Sequence, residues 1–278
     1  MRVRKDGLHL NTNSDPNNRA RFLTPVLQFQ DQPRNCPYLP NQSALMPLVY
    51  PMHRLGGEEF DAYLATGRRR SSGFLYHTAC PNCSACKPTR LPVHDFQWTR
   101  SMQRVLKRGD REIETVIGMP QVDEQRVQLF NLHRKARLLG PADDWDSLDD
   151  YEQGFVETCC DTVELSFWVQ SKLMCISIVD CGQTSVSAVY TYFDPSYSRL
   201  SPGTYSILKQ IEWAQAAGKT FLYLGMYVEQ NAHLRYKGRF VPQQQLVDGR
   251  WVTVHEPIEW SDRGDAYGPN LDQDTSSF

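Results

Sequence analysis

Four cysteines are spaced so that their sulfur atoms can converge on one ion. They are Cys36, Cys80, Cys83 and Cys86, the last three in the pattern Cys-x2-Cys-x2-Cys. An intracellular protein keeps thiols reduced, which favours metal ligation over disulfides. Four thiolates would form a closed zinc site, and the same spacing suits an iron–sulfur cluster. The alternative is that these side chains pack as small apolar groups. We expect this last role for the remaining cysteines, Cys159, Cys160, Cys175 and Cys181.

A basic segment surrounds the cysteine cluster. Residues 68–111 contain ten Lys and Arg but only two Asp, although the whole chain has a net charge of -2. Such a segment forms either a solvated surface or a binding surface for phosphate groups. Residues 142–164 contain nine acidic residues and no Lys or Arg, which predicts a solvated acidic face.

The residues from 25 to 110 predict a small, loop-rich N-terminal domain that contains the cysteine cluster and the basic segment. We expect a strand at Thr89–Val93 and helices at Glu58–Ala65 and Ser101–Lys107. Residues 1–24, rich in Asn, predict a flexible lead-in, and residues 261–278 an acidic flexible tail.

Residues 111–260 have stronger apolar periodicity and predict a second domain. The expected elements are helices at Asp123–Leu139 and Tyr151–Cys160, an antiparallel meander of strands at Val163–Gln170, Leu173–Asp180 and Ser185–Phe193, a helix at Tyr205–Ala217 and a strand at Phe221–Val228. This order indicates an α/β (α+β) fold like that of the GNAT N-acetyltransferases. In that fold, the helix after the meander presents its N-terminus to the phosphates of an acyl carrier.

Composition excludes several classes of protein. The chain has 278 residues, of which 40% are hydrophobic and 22% charged, so it has enough apolar content to fold. The mean hydropathy is -0.52, and no apolar run approaches the length of a membrane helix. The first residues lack the apolar stretch of a secretory signal. We therefore expect a cytoplasmic protein that does not bind a membrane.

A series of short motifs between residues 36 and 245 resembles one known family. The motifs are Cys36-Pro37-Tyr38-Leu39-Pro40, Arg69-Arg70-Ser71-Ser72-Gly73, the cysteine run with Pro88 and Arg90, Gln103-Arg104, Tyr192-Phe193-Asp194-Pro195, Gly203-Thr204-Tyr205-Ser206, Tyr223-Leu224-Gly225 and Tyr236-Lys237. They are similar to the arginyl-tRNA–protein transferases, in their bacterial aspartate/glutamate leucyltransferase branch. The chain departs from the family pattern at Ser201-Pro202-Gly203, where the family has Ser-Leu-Gly, and in the serine added to Arg-Arg-Ser-Gly. It also has His233-Leu234-Arg235-Tyr236-Lys237 where the family has Lys-Met-x-Tyr-Lys.

The resemblance implies an aminoacyltransferase that acts in N-degron tagging. Leucine would pass from leucyl-tRNA to the α-amino group of a protein beginning with Asp or Glu, and the product would be marked for degradation. Transfer of arginine from arginyl-tRNA to the same acceptors is the alternative. The reaction needs no ATP or organic cofactor, because the ester already stores the activation.

Several residues are candidates for this chemistry. Arg69, Arg70 and Lys237 would bind the acceptor's carboxylate, since arginine holds a carboxylate with two hydrogen bonds; the alternative for them is surface solvation. Backbone N–H groups at Gly203 and Thr204 would face the tRNA 3′ end, unless they only begin a helix. Tyr236 and Tyr192 would stabilise the oxyanion or simply pack. Asp194 would orient the ammonium group or form a turn. Phosphates of tRNA would contact Arg104, Lys107 and Arg108.

Two further interpretations use the same residues differently. A small-molecule acyltransferase of the GNAT type would share the fold, but it predicts no basic, cysteine-rich front domain. A non-enzymatic zinc module that binds nucleic acid would explain that front domain but not the helix prepared for phosphate.

Overall fold

The computed structural model describes residues 24–139 and 145–258. The predicted acidic tail lies outside these ranges, as does the predicted lead-in except for Thr24. In the described ranges, the α-helices are α1 (Gly57–Ala65), α2 (Arg100–Glu112), α3 (Glu124–Ala136), α4 (Leu148–Tyr151) and α5 (Pro202–Ala216). No helix there is both long enough and apolar enough to span a bilayer.

The strands form one large sheet, one small sheet and a two-stranded ribbon. They are β1 (Val26–Phe29), β2 (Arg34–Asn35), β3 (Ser43–Ala44), β4 (Leu48–Pro51), β5 (Arg69–Ser71), β6 (Phe74–Tyr76), β7 (Lys87–Pro92), β8 (Glu114–Gly118), β9 (Asp161–Val169), β10 (Lys172–Cys181), β11 (Ser185–Phe193), β12 (Phe221–Tyr227), β13 (Gln243–Val247) and β14 (Arg250–Val254). The large sheet has the order β14-β13-β7-β12-β11-β10-β9-β8, the small sheet β1-β4-β6-β5, and the ribbon β2-β3. The protein therefore has a mixed α/β fold built on a large sheet.

The centre of the large sheet is the predicted meander. Strands β9, β10 and β11 pair antiparallel in sequence order. In β10, the adjacent residues Cys175 and Ile176 are both fully buried. Because successive side chains in a strand point to opposite faces, this strand is covered on both sides. Cys175 packs in the core beneath α5 and Ile176 in the core beneath α3.

A parallel pair interrupts this antiparallel pattern. Strand β12 returns beside β11 after the α5 crossover, and the two pair only where Ser185–Ser187 faces Phe221–Tyr223. Beyond that register, β11 continues to Phe193 and β12 to Tyr227 without pairing to each other. The two strands therefore separate and leave a cleft in the sheet.

The predicted domain boundary at residue 110 does not divide the sheets. Strand β7, which precedes that boundary, pairs with both β12 and β13. Helix α2 packs against α5, with Gly109 of α2 directly beneath the ring of Tyr205. The small sheet and α1 share another core cluster, in which Phe60 and Leu75 are fully buried. Segments from before and after residue 110 thus build one large sheet and its cover.

The predicted helices are present with shifted ends, and the one predicted at Tyr151–Cys160 is shifted most, since the helical residues there are 148–156. A capping box between Ser147 and Asp150 begins α4 earlier, and α4 ends at Tyr151. A π-helical turn at Glu152–Val156 follows, after which the backbone becomes extended. In the strand after it, Glu164 is buried and accepts hydrogen bonds from Arg126 at 2.7–3.1 Å. The expectation of a solvated acidic face is therefore wrong at Glu164.

Candidate functional site

A cavity of about 380 Å³ occupies the cleft between β11 and β12. Its walls come from the unpaired ends of these strands, from β5, from the last turn of α3, from the first turns of α5 and from the loop at residues 231–237. The charged residues in the described lining are all basic: Arg69, Arg137 and Lys237, with His133 and His233 beside them. Such a cavity favours an anionic ligand.

Arg69 and Lys237 are more buried than Arg137, the other charged residue of this wall, with exposed fractions of 6% and 7%. One guanidinium nitrogen of Arg69 donates to the carbonyl of Ala188 on β11. Lys237 Nζ donates to the carbonyl of Met226 on β12 at 2.8 Å. The two cations thus lie between the separated strands, each anchored to one of them.

Among the described residues, neither cation forms a salt bridge with a carboxylate, although the charge of Asp180 also acts on Arg69. Arg69 Nη1 is buried and has no hydrogen-bond partner there. Burial, followed by the charge of Arg69, lowers the pKa of Lys237 from 10.5 to about 7. Burying these two like charges close together is unfavourable, so a bound carboxylate would stabilise both.

Gly225 allows this close approach of the cations to the backbone. Its φ of +90° lies in the region that favours glycine. A Cβ at this position would lie 3.2 Å from Arg69 Nη2 and 3.5 Å from Lys237 Nζ. A side chain here would therefore occupy the space beside the two cations.

A second basic group lies on α3 and the loop that faces it. Arg137 Nη2 is 2.6 Å from His233 Nδ1. His133 Nδ1 lies 3.2 Å from both the backbone nitrogen and the carbonyl oxygen of Phe193. Burial, followed by the charge of Arg137, lowers the pKa of His133 to about 4. His133 is therefore neutral at physiological pH. Neither His133 nor His233 was among the predicted site residues, although the i, i+4 spacing of His133 and Arg137 on a predicted helix indicates that they share a face.

Two other predicted residues also line the cavity. Tyr236 lies against Lys237, with Nζ 6.0 Å from the ring centre, and burial raises the pKa of Tyr236 to about 12. Gly203 lies in the first turn of α5, which follows Ser201 in a left-handed conformation. Thr204 follows it and is partly exposed. The structure thus brings Arg69, Lys237, Tyr236 and Gly203 together from three separate segments.

Arg70 does not line this cavity. Its Nε is 2.9 and 2.8 Å from the two carboxylate oxygens of Asp180, and both side chains are fully buried. Arg70 also donates to the carbonyl of Ser72, and Thr162 donates to Asp180. Because β5 alternates its side chains, the neighbours Arg69 and Arg70 point to opposite sides, and only Arg69 reaches the cavity.

Tyr192 and Asp194 also lie outside the cavity lining. The Tyr192 hydroxyl is buried and hydrogen-bonded to that of Tyr151, within an aromatic cluster around Phe130. Asp194 accepts from the Ser196 backbone at 2.9 Å and pairs with Lys172 at 3.0 Å. The contacts of Tyr192 are those of a packed core residue, and the contacts of Asp194 are those of a turn residue, as in the alternatives given for them above.

The basic segment does not form one continuous surface. Arg69 and Arg70 are buried, and Arg90 is stacked between the rings of Phe221 and Trp251 at 3.8 and 4.1 Å. The exposed basic residues lie along α2 and are Arg100, Arg104, Lys107, Arg108 and Arg111. The C-terminal end of α2 contacts the first turns of α5, where Asp110 accepts from Tyr205 at 2.9 Å. The C-terminal end of α2 therefore lies beside the first turns of α5, of which Gly203 lines the cavity.

The four predicted metal ligands are neighbours in the structure. Burial raises the pKa of Cys86 to about 12, and the charges of Cys36, Cys80 and Cys83 contribute to this increase. Backbone N–H groups of Tyr38 and Leu45 donate to the sulfurs of Cys36 and Cys80, each at 3.4 Å. Within residues 24–139 and 145–258, however, no group of three or more His, Cys, Asp or Glu is placed to hold a metal ion.

Comparison with known proteins assigns the family. The N-terminal model of the arginine-tRNA-protein transferases matches residues 34–104, and the C-terminal model of the same family matches residues 125–247. The chain belongs to this family. The chain is 34% identical over 237 residues to a protein of Acinetobacter baumannii named aspartate/glutamate leucyltransferase. The matched region covers 85% of this chain and 88% of that protein.

Other relatives agree with this assignment. A protein of Methylobacillus flagellatus with the same name is 31% identical over 221 residues, covering 80% of this chain and 89% of that protein. Among solved structures, the L-PGS structure from Bacillus licheniformis matches with a TM-score of 0.40 and 10% identity, covering 63% of this chain and 52% of that one. That structural likeness is too weak to carry an argument.

Proposed function

We propose that this protein transfers leucine from leucyl-tRNA to the α-amino group of proteins that begin with Asp or Glu. The main structural support is the buried pair of cations, Arg69 and Lys237, in a cavity whose described lining has no acidic residue. These cations suit the acidic side chain of the acceptor and would repel an arginyl side chain. Family membership and the names of the relatives support the same reaction.

The cleft between β11 and β12 supports a GNAT-like arrangement of the two substrates. The acceptor's first residue would enter between the separated strands, with its carboxylate at Arg69 and Lys237. The 3′ end of the tRNA would approach the first turn of α5, where backbone N–H groups at Gly203 and Thr204 favour negative charge. Its acceptor stem would follow the exposed basic face of α2, including Arg104, Lys107 and Arg108.

The chemistry is attack of a neutral amine on an ester carbonyl. The new C–N bond forms as the C–O bond to the ribose breaks, and the amine proton passes to the leaving ribose oxygen. An α-amino group has a pKa of about 7.7–8.0, so a substantial fraction is neutral at physiological pH without a strong base. Binding both substrates in one cleft supplies much of the rate enhancement, on the order of 7 kcal/mol in good cases. Tyr236, partly buried in the cavity wall, would donate to the oxyanion.

The cysteine cluster would have a structural role. The backbone N–H groups that donate to Cys36 and Cys80, and the mutual effect of the four thiols, support a bound zinc ion or iron–sulfur cluster. Binding would require the sulfurs to move closer, since the described residues contain no group already placed for a metal. We expect about one metal centre per chain by elemental analysis of protein purified without chelators, and a finding of neither zinc nor iron would contradict this part of the proposal.

A transfer assay tests the function directly. Purified protein is incubated with labelled leucyl-tRNA or arginyl-tRNA and with peptides that begin with Asp, Glu or Ala. We expect leucine on the Asp and Glu peptides only. Transfer of arginine alone would support the alternative donor, and acylation of a small amine from a thioester would replace the proposal by a small-molecule acyltransferase. A tRNA substrate would support a location in the cytoplasm.

A further inference from the structure

The contact between Arg137 and His233 determines which nitrogen of the histidine carries the proton. Arg137 Nη2 lies 2.6 Å from His233 Nδ1. A guanidinium only donates hydrogen bonds and stays protonated in proteins, so Nδ1 must be the acceptor. In a neutral imidazole, the other ring nitrogen then holds the proton. His233 therefore presents Nε2–H as a hydrogen-bond donor.

The position of His233 is fixed on both sides. Its backbone nitrogen donates to Asn231 Oδ1 at 2.9 Å, and Asn231 Nδ2 donates to the carbonyl of Tyr38 at 2.8 Å. Arg137, from α3, holds the ring. All four residues line the cavity. The donor is thus held in place at the cavity wall before any substrate binds, as electrostatic stabilisation of a reaction requires.

We propose that His233 contacts the substrate and donates Nε2–H to an oxygen at the esterified 3′ end of the aminoacyl-tRNA. This inference rests on the function proposed above. One acceptor is the ester carbonyl oxygen, on which negative charge develops when the amine attacks. The other is an oxygen of the terminal phosphate, which is charged from the start. Because Arg137 occupies Nδ1, His233 acts as a donor and not as a general base.

The charges around His233 keep the ring neutral. Arg137 and His133 face it from α3, Tyr236 and Lys237 lie on its own segment, and Arg69 and Tyr38 lie across the same cavity. None of these groups is a carboxylate, which would stabilise an imidazolium. Burial, and then the charge of Arg137, lowers the pKa of His233 from its usual 6.5. The donor is therefore in the required neutral form at physiological pH.

At residue 233 this chain departs from the family pattern that its motifs resemble. The family pattern has a lysine at this position, in Lys-Met-x-Tyr-Lys, where this sequence has His233-Leu234-Arg235-Tyr236-Lys237. Lysine and histidine can both donate a hydrogen bond. Only histidine can also accept one from Arg137, which explains why the two residues form a pair here.

Two substitutions separate donation from packing. His233→Gln keeps an acceptor for Arg137 and a donor on the far side, whereas His233→Leu removes both. With leucyl-tRNA and an Asp peptide, we expect kcat/KM to fall about 10- to 100-fold in His233→Leu and to recover largely in His233→Gln. His53→Leu, at an exposed histidine outside the cavity, is the matched control and should match the wild type.

The kinetic constants identify the acceptor oxygen. A lower kcat at saturating leucyl-tRNA indicates the ester oxygen, and a higher KM for leucyl-tRNA at unchanged kcat indicates the phosphate. Both proteins should lose activity towards acidic pH as the acceptor's amine becomes protonated. The wild type should show an additional loss below the ring's lowered pKa, because protonation at Nδ1 breaks the contact with Arg137, and this additional loss should be absent in His233→Gln. Wild-type kinetics in His233→Leu, or equal losses in both variants, would overturn the inference. If the wild type itself transfers no leucine, the proposed function fails instead.

Discussion

Replacing Lys237 by methionine should remove selection for acidic acceptors without destabilising the protein. The side chain is buried, and its pKa of about 7 instead of 10.5 corresponds to a cost of about 5 kcal/mol for keeping the amine charged in the folded chain. Methionine has a similar length and carries no charge, so Lys237→Met loses one hydrogen bond to Met226 but avoids that cost. We expect the melting temperature to be unchanged or higher.

The effect on catalysis should depend on the acceptor. A hydrogen bond to a charged group contributes about 1.5–3 kcal/mol, or about 10- to 150-fold in an equilibrium or rate ratio. The assay compares kcat/KM for two peptides that differ only in Asp or Asn at the first position. The wild type should prefer the Asp peptide. Lys237→Met should reduce that preference by about this factor, because its kcat/KM for the Asp peptide falls while its kcat/KM for the Asn peptide does not.

A matched control distinguishes this site from general loss of positive charge. Lys135→Met removes a lysine that is exposed and does not line the cavity, so it should keep the wild-type preference. If the ratio of the Asp and Asn peptides is the same in Lys237→Met as in the wild type, Lys237 does not bind the acceptor's carboxylate and the reasoning is wrong.

Three further predictions follow from the same contacts. Arg70→Met should reduce the free energy of unfolding, measured by urea titration, by about 3–5 kcal/mol, because it leaves Asp180 buried without its cation. The folded fraction of this variant should keep the wild-type preference for the Asp peptide over the Asn peptide. For the Asp peptide, kcat/KM should pass through a maximum as pH rises. The acceptor's amine becomes neutral as pH rises towards 8, which increases kcat/KM, whereas Lys237 loses its charge above about pH 7, which decreases it. The decrease at alkaline pH should therefore be weaker in Lys237→Met. Lys107→Gln should raise KM for leucyl-tRNA and reduce the salt dependence of binding by about one phosphate contact, and an unchanged salt slope would argue against the α2 surface.

The sequence alone determined the elements that follow from local patterns. The meander from β9 to β11 and helix α5 are visible as alternating and helical apolar spacing, and both are present where expected. The bounds predicted for the helix at Tyr151–Cys160 were wrong, because a capping box at Ser147 and Asp150 begins the helix earlier and the backbone is extended from Glu157. The motifs also identified the family, since their order along the chain does not depend on how the chain folds.

Only the tertiary structure decided which of the candidate residues meet. Arg69 and Arg70 are adjacent and of one type, yet strand alternation sends one to the cavity and the other to Asp180. The cavity itself exists because β11 and β12 stop pairing after three residues each, which no local pattern encodes. His233 becomes a donor with a defined tautomer only because Arg137, 96 residues away in sequence, lies against its ring. Such contacts depend on long-range packing, and residue type and spacing along the chain do not specify them.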